Sequence, residues 1–311
     1  MISCFGVAYR VHPLFVILMA LSAAVGYFVE LITLFGIVVI HELGHAAAAH
    51  LYRWKVKEIQ LLPFGGVAVM EDRARTTAWE EMVVALAGPL QNVWMIGVAL
   101  LLQTIGVWEG EWVDFFVRAN AAIALFNLLP ALPLDGGRIV QAWLSWHFPY
   151  FRVLLIANWL GVAISAGMTV AAFALLPGDG IQLNLLLIGL FVLATNAVEL
   201  KNMHYRFMRF LIHRGEMADY LAERGGLAAP LVVRGAHTPL SVAKQLVRER
   251  YHLIYVLDDV GEIRAIVPEH RLIHAMFVEK RPISAVFDLF MYNNNKVKSA
   301  EVAYEATPRS L

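Results

Sequence analysis

The sequence predicts an α-helical polytopic membrane domain with six transmembrane helices and a re-entrant β-hairpin, followed by a small α+β domain. Composition gives the first reason, because 59% of the 311 residues are hydrophobic and only 16% are charged, which is more apolar than an ordinary soluble domain. Apolar stretches of about 20 residues, the length of a membrane-spanning helix, also recur through the first two thirds of the chain. From about Leu231 apolar and charged residues alternate, which is typical of a water-soluble domain.

The membrane domain, residues 1–202, contains six candidate spans, of which we expect the first to be a retained membrane helix rather than a signal peptide. They are Val11–Phe28, Leu31–Leu51, Glu80–Ile105, Asp114–Leu134, Val153–Leu176 and Ile181–Leu200. Lys and Arg concentrate before the first span and after the second, fourth and sixth, and such residues collect on the cytoplasmic side of a membrane. Both termini are therefore expected in the cytoplasm.

A short segment after the second span, Ile59–Met70, predicts the hairpin. It contains Pro63 and two glycines among apolar β-formers, which disfavours a helix, and it is too short to span a membrane. Its exposed strand edge could bind an extended substrate by β-addition, with Pro63, Phe64, Gly65 and Gly66 as candidate docking residues. A plain loop at the membrane surface is the alternative.

The remaining chain predicts a linker over residues 203–229, a cytoplasmic α+β domain over residues 230–290, and a polar, loosely ordered tail over residues 291–311. The domain is expected to contain strands at Pro230–Arg234, Ile254–Leu257 and Ile263–Val267, and helices at Pro239–Tyr251 and His270–Val278. These assignments follow from the apolar periodicity and from turn residues such as Asp258-Asp259.

Charge and cysteine content exclude several classes of function. The 25 basic and 25 acidic residues balance, so no overall basic field indicates a nucleic-acid partner. Cys4 is the only cysteine, which excludes an internal disulfide and makes a thiolate zinc site implausible. A metal ion in this chain must be held by histidine and carboxylate.

The second candidate span contains His41-Glu42-Leu43-Gly44-His45. Two histidines four residues apart lie on one face of a helix, so both imidazoles can reach a single tetrahedral Zn²⁺. Glu42 lies beside them and could serve as general base, because zinc lowers the pKa of a bound water to about 7. Ionisable side chains inside a membrane helix are costly, which favours a functional site over a chance pattern. The sequence therefore predicts hydrolytic zinc chemistry.

Asp135 is the predicted third ligand, because a catalytic zinc usually has three protein ligands and one open position. It directly follows the fourth candidate span on the cytoplasmic side, where the second span also ends. One alternative is that Asp135-Gly136-Gly137 forms only a turn, as Asp-Gly often does. Another is that a glutamate elsewhere in the chain is the third ligand.

Three further segments support this interpretation. They are Ala87-Gly88-Pro89-Leu90-Gln91-Asn92, Leu61-Leu62-Pro63-Phe64-Gly65-Gly66, and an Asn-x-x-Pro-x-x-Pro-x-Asp-Gly run from Asn127 to Gly136. Together with the His-Glu-x-x-His helix they resemble the site-2 family of intramembrane zinc metalloproteases, and within it the sporulation branch of endospore formers. The third segment departs from the family's Asn-x-x-Pro-x-Pro-x-x-Asp-Gly spacing.

The resemblance implies a zinc endopeptidase that cleaves a membrane-associated protein at the cytoplasmic side of the membrane. For the sporulation branch it implies removal of the prosequence of a sigma factor, pro-sigma-K, in the membrane around the forespore, with membrane proteins as inhibitory partners. Asn92 and Asn127 are candidate donors to the oxyanion or to the substrate backbone, since an amide in a membrane helix needs a partner. Helix-to-helix packing is the alternative role of both amides.

The segment Leu231–Val278 resembles a single cystathionine-β-synthase-type (CBS) repeat. This resemblance implies binding of an adenine nucleotide such as ATP, and a homo-oligomer formed by pairing of the C-terminal domains. Pro268-Glu269-His270-Arg271 stands where such repeats have Thr-x-x-Asp, a departure that removes the usual ribose-binding carboxylate.

A membrane metal transporter or metal sensor without peptidase activity is the alternative function. Transporters usually place ionisable groups near the middle of the membrane on several helices. Here these groups cluster toward one face of the membrane, and Glu42 has no evident role in transport, which favours the protease.

Overall fold

A computed structural model describes residues 2–4, 7–11, 24–54, 56–62, 65–70, 76–174, 182–223, 225, 228–234, 237–274 and 276–277. The chain divides into two compact units. The first comprises Met1–Leu144 and Leu155–Asn202, and the second comprises Ser145–Leu154 and Met203–Leu311. The whole predicted tail, residues 291–311, and residues 12–23 of the first predicted span lie outside the described residues.

Four helices among the described residues are long and apolar enough to cross a membrane. They are α1 (Phe28–Leu51), α2 (Ala78–Thr104), α5 (Tyr150–Ala174) and α6 (Leu183–Glu223). The second, third, fifth and sixth predicted spans correspond to these helices, as far as their residues are described. Their outer faces carry large exposed side chains such as Trp94, Leu101 and Phe191, which suits contact with lipid.

The fourth predicted span is only partly helical. Helix α3 covers Glu111–Asn127, 17 residues, and the following Leu128–Leu134 is not helical. The prediction of a helix from Asp114 to Leu134 was therefore wrong over its last seven residues. Pro130 and Pro133 explain the difference, because proline lacks the backbone N–H that continues a helix and restricts the residue before it.

Strands of the first unit form one four-stranded sheet, in the order β1 (Ile2–Cys4), β2 (Val7–Val11), β3 (Val56–Leu62) and β4 (Gly65–Met70). Strand β2 is antiparallel to β1 and parallel to β3, and β3 is antiparallel to β4. The β3–β4 pair is the predicted hairpin. Strand β4 lies at an edge of the sheet as far as the described strands extend.

The second unit contains a three-stranded sheet in the order β5 (Ala228–Arg234), β6 (Tyr251–Leu257) and β7 (Ile263–Pro268). Strand β5 is parallel to β6, and β6 is antiparallel to β7. The core of this unit is Leu154, Met203, Phe207, Leu211, Leu231, Val233, Val242, Ala243, Leu246, Ile254, Val256, Ala265, Val267 and Leu272. Its α+β character agrees with the prediction, and its relation to CBS repeats stays a prediction.

Two stretches of this unit differ from the predicted elements. Most of the expected linker over residues 203–229 is helical, since α6 continues to Glu223. Its residues Met203, Phe207 and Leu211 recur every four positions and are buried in the core, so packing stabilises the helix. The helix predicted from Pro239 to Tyr251 is only α7 (Pro239–Ala243), because the backbone turns after Lys244 and enters β6.

A buried ionic cluster ties α6 to the sheet of the second unit. Arg214 donates from Nε and Nη2 to the two oxygens of Glu269, each at 3.0 Å, and also to the backbone carbonyls of Arg248 and Arg250. Glu269, the first residue of α8 (Glu269–His274), also accepts from the backbone N–H of His252 at 3.1 Å. Both oxygens of the Glu269 carboxylate are therefore engaged by partners inside the unit.

Candidate metal centre

Helix α1 brings His41 and His45 together inside the membrane unit. The two rings meet edge to face, with centroids 4.8 Å apart and an interplanar angle of 83°. Their Nε2 atoms are 3.2 Å apart, and both side chains are buried, with 3% and 6% exposure. This is the outcome expected for histidines one helical turn apart.

Asp135 completes a three-ligand cluster with these histidines. Its Oδ2 lies 3.1 Å from His41 Nε2 and 3.2 Å from His45 Nε2, and the three potential ligand atoms all lie within 4.8 Å of one another. Ligands about 2.0 Å from a tetrahedral Zn²⁺ would be about 3.3 Å apart. The two imidazoles and the carboxylate therefore fit one zinc ion.

The other ring nitrogen of each histidine is held by an acceptor. His45 Nδ1 donates to the backbone carbonyl of Val84 at 2.7 Å, and His41 Nδ1 donates to Oδ1 of Asn92 at 2.6 Å. A proton on Nδ1 leaves the Nε2 lone pair free to bind a metal. Both histidines are thus presented in the tautomer that a metal ion requires.

Glycines allow helix α2 to approach the histidines closely. A Cβ atom at Gly88 would lie 2.3 Å from His45 Nε2 and 2.7 Å from His41 Nε2. At Gly44 a Cβ would lie 2.6 Å from the carbonyl oxygen of Ala87. The Ala-Gly-Pro segment of α2 therefore forms one wall of the cluster.

The segment that carries Asp135 is held by backbone contacts. Asp135 begins helix α4 (Asp135–Ser145), so Asp135-Gly136-Gly137 is a helix start and the alternative of a simple turn is wrong. A Cβ at Gly136 would lie 2.1 Å from the carbonyl oxygen of Leu128. Asn196 of α6 donates to the carbonyl of Leu132, which fixes the chain three residues before Asp135.

The remaining predicted site residues lie in different places. Glu42 is buried with 8% exposure beside His41. Asn92 contacts the Nδ1 side of His41, opposite to its metal-facing nitrogen, and Asn127 donates to the carbonyl of Ile123 in its own helix at 3.1 Å. Pro63 and Phe64 lie outside the described residues. Gly65 and Gly66 begin strand β4.

Sequence reasoning missed the buried amides of Asn120 and Asn196, among others. Each has no exposed surface, and each lies in an apolar helix, where a lone polar side chain marks a required partner. That signal was available in the sequence. The identity of the partner was not, because the partners are 28 and 64 residues away in the chain.

Comparison with known proteins agrees with this geometry. A model of peptidase family M50 matches residues 29–109 and 106–168. Stage IV sporulation protein FB of Bacillus subtilis (strain 168) is 31% identical over 288 residues, which cover 91% of this chain and 96% of that protein. The chain belongs to peptidase family M50, the site-2 proteases.

Two further matches cover a smaller share of the chain. A zinc metalloprotease of Methanocaldococcus jannaschii is 32% identical over 198 residues, which cover 60% of this chain and 56% of that protein. The solved structure of the site-2 protease from the same organism matches with a TM-score of 0.51 and 30% identity, over 64% of this chain and 93% of that one. This M50 chain is therefore an integral membrane, zinc-dependent peptidase.

Proposed function

We propose that His41, His45 and Asp135 hold one Zn²⁺ and that Glu42 is the general base for hydrolysis of a peptide bond. The observation that carries the proposal is the convergence of the three ligand atoms within 4.8 Å, next to a buried glutamate. Two imidazoles and one carboxylate would hold the ion with three protein ligands, the number that catalytic zinc sites use.

The residues of the chain have distinct parts in this mechanism. Bound zinc would supply Lewis-acid chemistry, acidifying a water and polarising the scissile carbonyl. The carboxylate of Glu42 accepts the proton of the attacking water and delivers it to the leaving amine. The buried walls of α1 and α2 keep bulk water from the reacting groups, which strengthens these electrostatic interactions.

The proposed substrate is a membrane-associated protein cut at the cytoplasmic side, specifically a pro-sigma factor such as pro-sigma-K. Support comes from the similarity to stage IV sporulation protein FB over almost the whole chain. The proposed place is the membrane around the forespore, with both termini and the second unit in the cytoplasm. Inhibitory membrane partners, a homo-oligomer formed through the second unit and ATP binding by that unit stay predictions.

Substrate docking is proposed at strand β4. An edge strand offers unpaired backbone N–H and C=O groups, and a peptide bound there by β-addition is extended, as hydrolysis of its backbone requires. Helix α1, which carries the histidines, contacts this strand. Gly65 and Gly66 lie at the start of the proposed docking edge.

The decisive experiment co-expresses a tagged pro-sigma-factor substrate with full-length wild type, Glu42→Gln or Asp135→Ala, and measures both cleavage and zinc content. Glu42→Gln should retain zinc but lose cleavage by about 10²-fold or more, because the base is removed while the ligands stay. Asp135→Ala should lose zinc and cleavage together.

The matched control is His50→Gln, which removes a histidine from the exposed end of the same helix and should change neither readout. Cleavage by Glu42→Gln at the wild-type rate would contradict the mechanism. Zinc retention by Asp135→Ala would favour another third ligand. A wild type that binds zinc but cleaves no tested protein would favour the metal transporter or sensor.

A further inference from the structure

A line of buried hydrogen bonds leads from His41 through two asparagines to a backbone carbonyl. Oδ1 of Asn92 lies 2.6 Å from His41 Nδ1, and Nδ2 of Asn92 donates to Oδ1 of Asn120 at 3.1 Å. Nδ2 of Asn120 donates to the carbonyl of Phe116 at 2.9 Å. Neither asparagine has any exposed surface. The line connects helices α1, α2 and α3.

The backbone carbonyl of Phe116, at the far end, fixes the orientation of both amide groups in this series of hydrogen bonds. A carbonyl oxygen can only accept, so Asn120 must point its NH₂ group at Phe116 and its oxygen at Asn92. Asn92 must then point its own NH₂ group at Asn120 and its oxygen at His41. Because an amide oxygen can only accept, the imidazole proton of His41 must then be on Nδ1.

The opposite orientation of Asn92 would block metal binding. If its NH₂ group faced His41, Nδ1 would have to accept, and the single proton of a neutral ring would move to Nε2. A protonated Nε2 cannot bind a metal ion. His45 avoids this ambiguity, because its Nδ1 donates directly to the carbonyl of Val84.

We propose that Asn120 is a positioning residue for the metal centre: by fixing the orientation of the Asn92 amide it keeps the proton on His41 Nδ1 and the Nε2 lone pair toward the metal. The inference rests on the proposed zinc site. It gives Asn92 a role at the rear of His41 in place of the predicted oxyanion or substrate contact, and it gives the buried amide of α3 a function.

The test compares Asn120→Thr with Asn120→Val in full-length protein. The two side chains have the same shape, but a threonine hydroxyl can donate to the carbonyl four residues earlier and still accept from Asn92, whereas valine can do neither. Zinc affinity is measured by competition with a chelator, and the ligand field is followed by the visible absorption of cobalt-substituted protein. Loss of an outer hydrogen-bond partner typically weakens metal affinity 10- to 100-fold.

Asn120→Val should therefore bind zinc about 10-fold more weakly and shift the cobalt spectrum, while Asn120→Thr should stay closer to wild type. Asn92→Asp provides the second test. A carboxylate accepts from His41 in either orientation, so Asn120→Val should cause little further loss of zinc affinity in the Asn92→Asp background. Ser165→Ala, which removes a buried hydroxyl bonded within α5, is the control and should leave zinc affinity unchanged.

Equal losses of zinc affinity in Asn120→Thr and Asn120→Val would overturn the inference, because packing alone would then explain the effect. The inference would also be overturned if Asn120→Val caused the same loss of zinc affinity in the Asn92→Asp background as in the wild-type background. Unchanged affinity in Asn120→Val would overturn it as well. If the wild-type protein itself bound no zinc, the proposed function would be contradicted, whereas the outcomes above contradict only the role of Asn120. The two failures are therefore distinguishable.

Discussion

At the scale of single residues, the metal centre depends on the hydrogen-bond acceptors of the two histidines as much as on the ligands themselves. His41 and His45 each use Nδ1 to reach an acceptor on α2. Neither ring can turn without losing a buried hydrogen bond, which costs about 1–3 kcal/mol when the group is left unsatisfied. Because the rings are held in place against α2, there is no room for a side chain at Gly88.

Gly88→Ala tests this tight contact. The added methyl group would lie 2.3 Å from His45 Nε2, and the ring cannot retreat while Val84 holds its Nδ1. A displacement of about 1 Å at a reacting group can reduce the rate about 10²-fold, so cleavage should fall by that order and zinc content should fall with it. Both are measured in membranes.

Gly97→Ala is the matched control on the same helix, because a Cβ there meets no atom within 4 Å. It should leave cleavage and zinc content unchanged. Wild-type activity in Gly88→Ala would show that the two helices separate more easily than this contact implies, and the assignment of Gly88 as a wall of the site would be wrong.

At the scale of elements, the cluster is assembled from three chain segments that are far apart in sequence. Helix α1 supplies the two histidines, α2 their Nδ1 acceptors, and the start of α4 the carboxylate. The segment before α4 is not helical, and its position is fixed by the Asn196 side chain, which fits where Gly161 has no Cβ. Packing of α5 and α6 thus determines where Asp135 lies.

Proline substitution in strand β4 tests whether the β3–β4 hairpin is the docking edge for the substrate. Backbone N–H groups alternate in direction along a strand, so of the neighbours Val67 and Ala68 one points its N–H at β3 and the other away from β3, toward the edge of the sheet formed by the described strands. Proline at the edge-facing position removes a donor from the docking edge while leaving the hairpin paired. We expect that variant to raise KM about 10-fold while zinc content and expression stay at wild-type values.

Proline at the other position breaks the hairpin's own ladder and should lower expression as well as activity, so it reports on hairpin integrity. The two variants are compared through initial rates over a range of substrate concentrations in membranes. An unchanged KM in both proline variants would contradict the proposal that the substrate docks on β4.

At the scale of the whole molecule, the chain has a membrane unit with the metal centre and a second unit with its own core. Helix α6 runs from Leu183 to Glu223 and contributes residues to both. In the second unit its Arg214 is fully enclosed and paired with Glu269. Removing one partner of a buried pair typically costs about 3–5 kcal/mol, because the other charge is left uncompensated.

This pair predicts a pH-dependent stability of the second unit. Burial would raise the pKa of Glu269, but hydrogen bonds and charges from His252 and Arg214 outweigh it, so the pKa lies below the ordinary value of 4.5. The stabilisation is therefore complete above pH 4.5 and is lost as the pH falls through the lowered pKa. Glu269→Gln lacks it at every pH.

Hydrogen–deuterium exchange of β6 and β7 in the full-length protein, corrected for intrinsic rates, measures this effect between pH 7 and pH 3. Protection in Glu269→Gln should be weaker than in wild type by a constant amount above about pH 5, and the gap should narrow below pH 4.5. Glu262→Gln, an exposed carboxylate in the turn before β7, should follow wild type throughout. A gap that widened on acidification would contradict the sign of the shift.

The sequence by itself determined what local patterns and composition can encode. Apolar stretches of membrane-spanning length located four helices, and the spacing of His41 and His45 predicted a shared ligand site, because residues four apart in a helix always lie on one face. The need for a third ligand indicated Asp135. The hairpin and the strands of the second unit also followed from turn residues and alternation.

Only the tertiary structure decided which distant residues meet. The partners of His41 at positions 92 and 135, the Asn92–Asn120 pair and the contact of Asn196 with Leu132 all depend on how helices pack. A one-dimensional pattern contains no information on helix rotation or contact partners. For the same reason the sequence did not show that α6 continues to Glu223, because a helix end is set by the core against which its residues are buried.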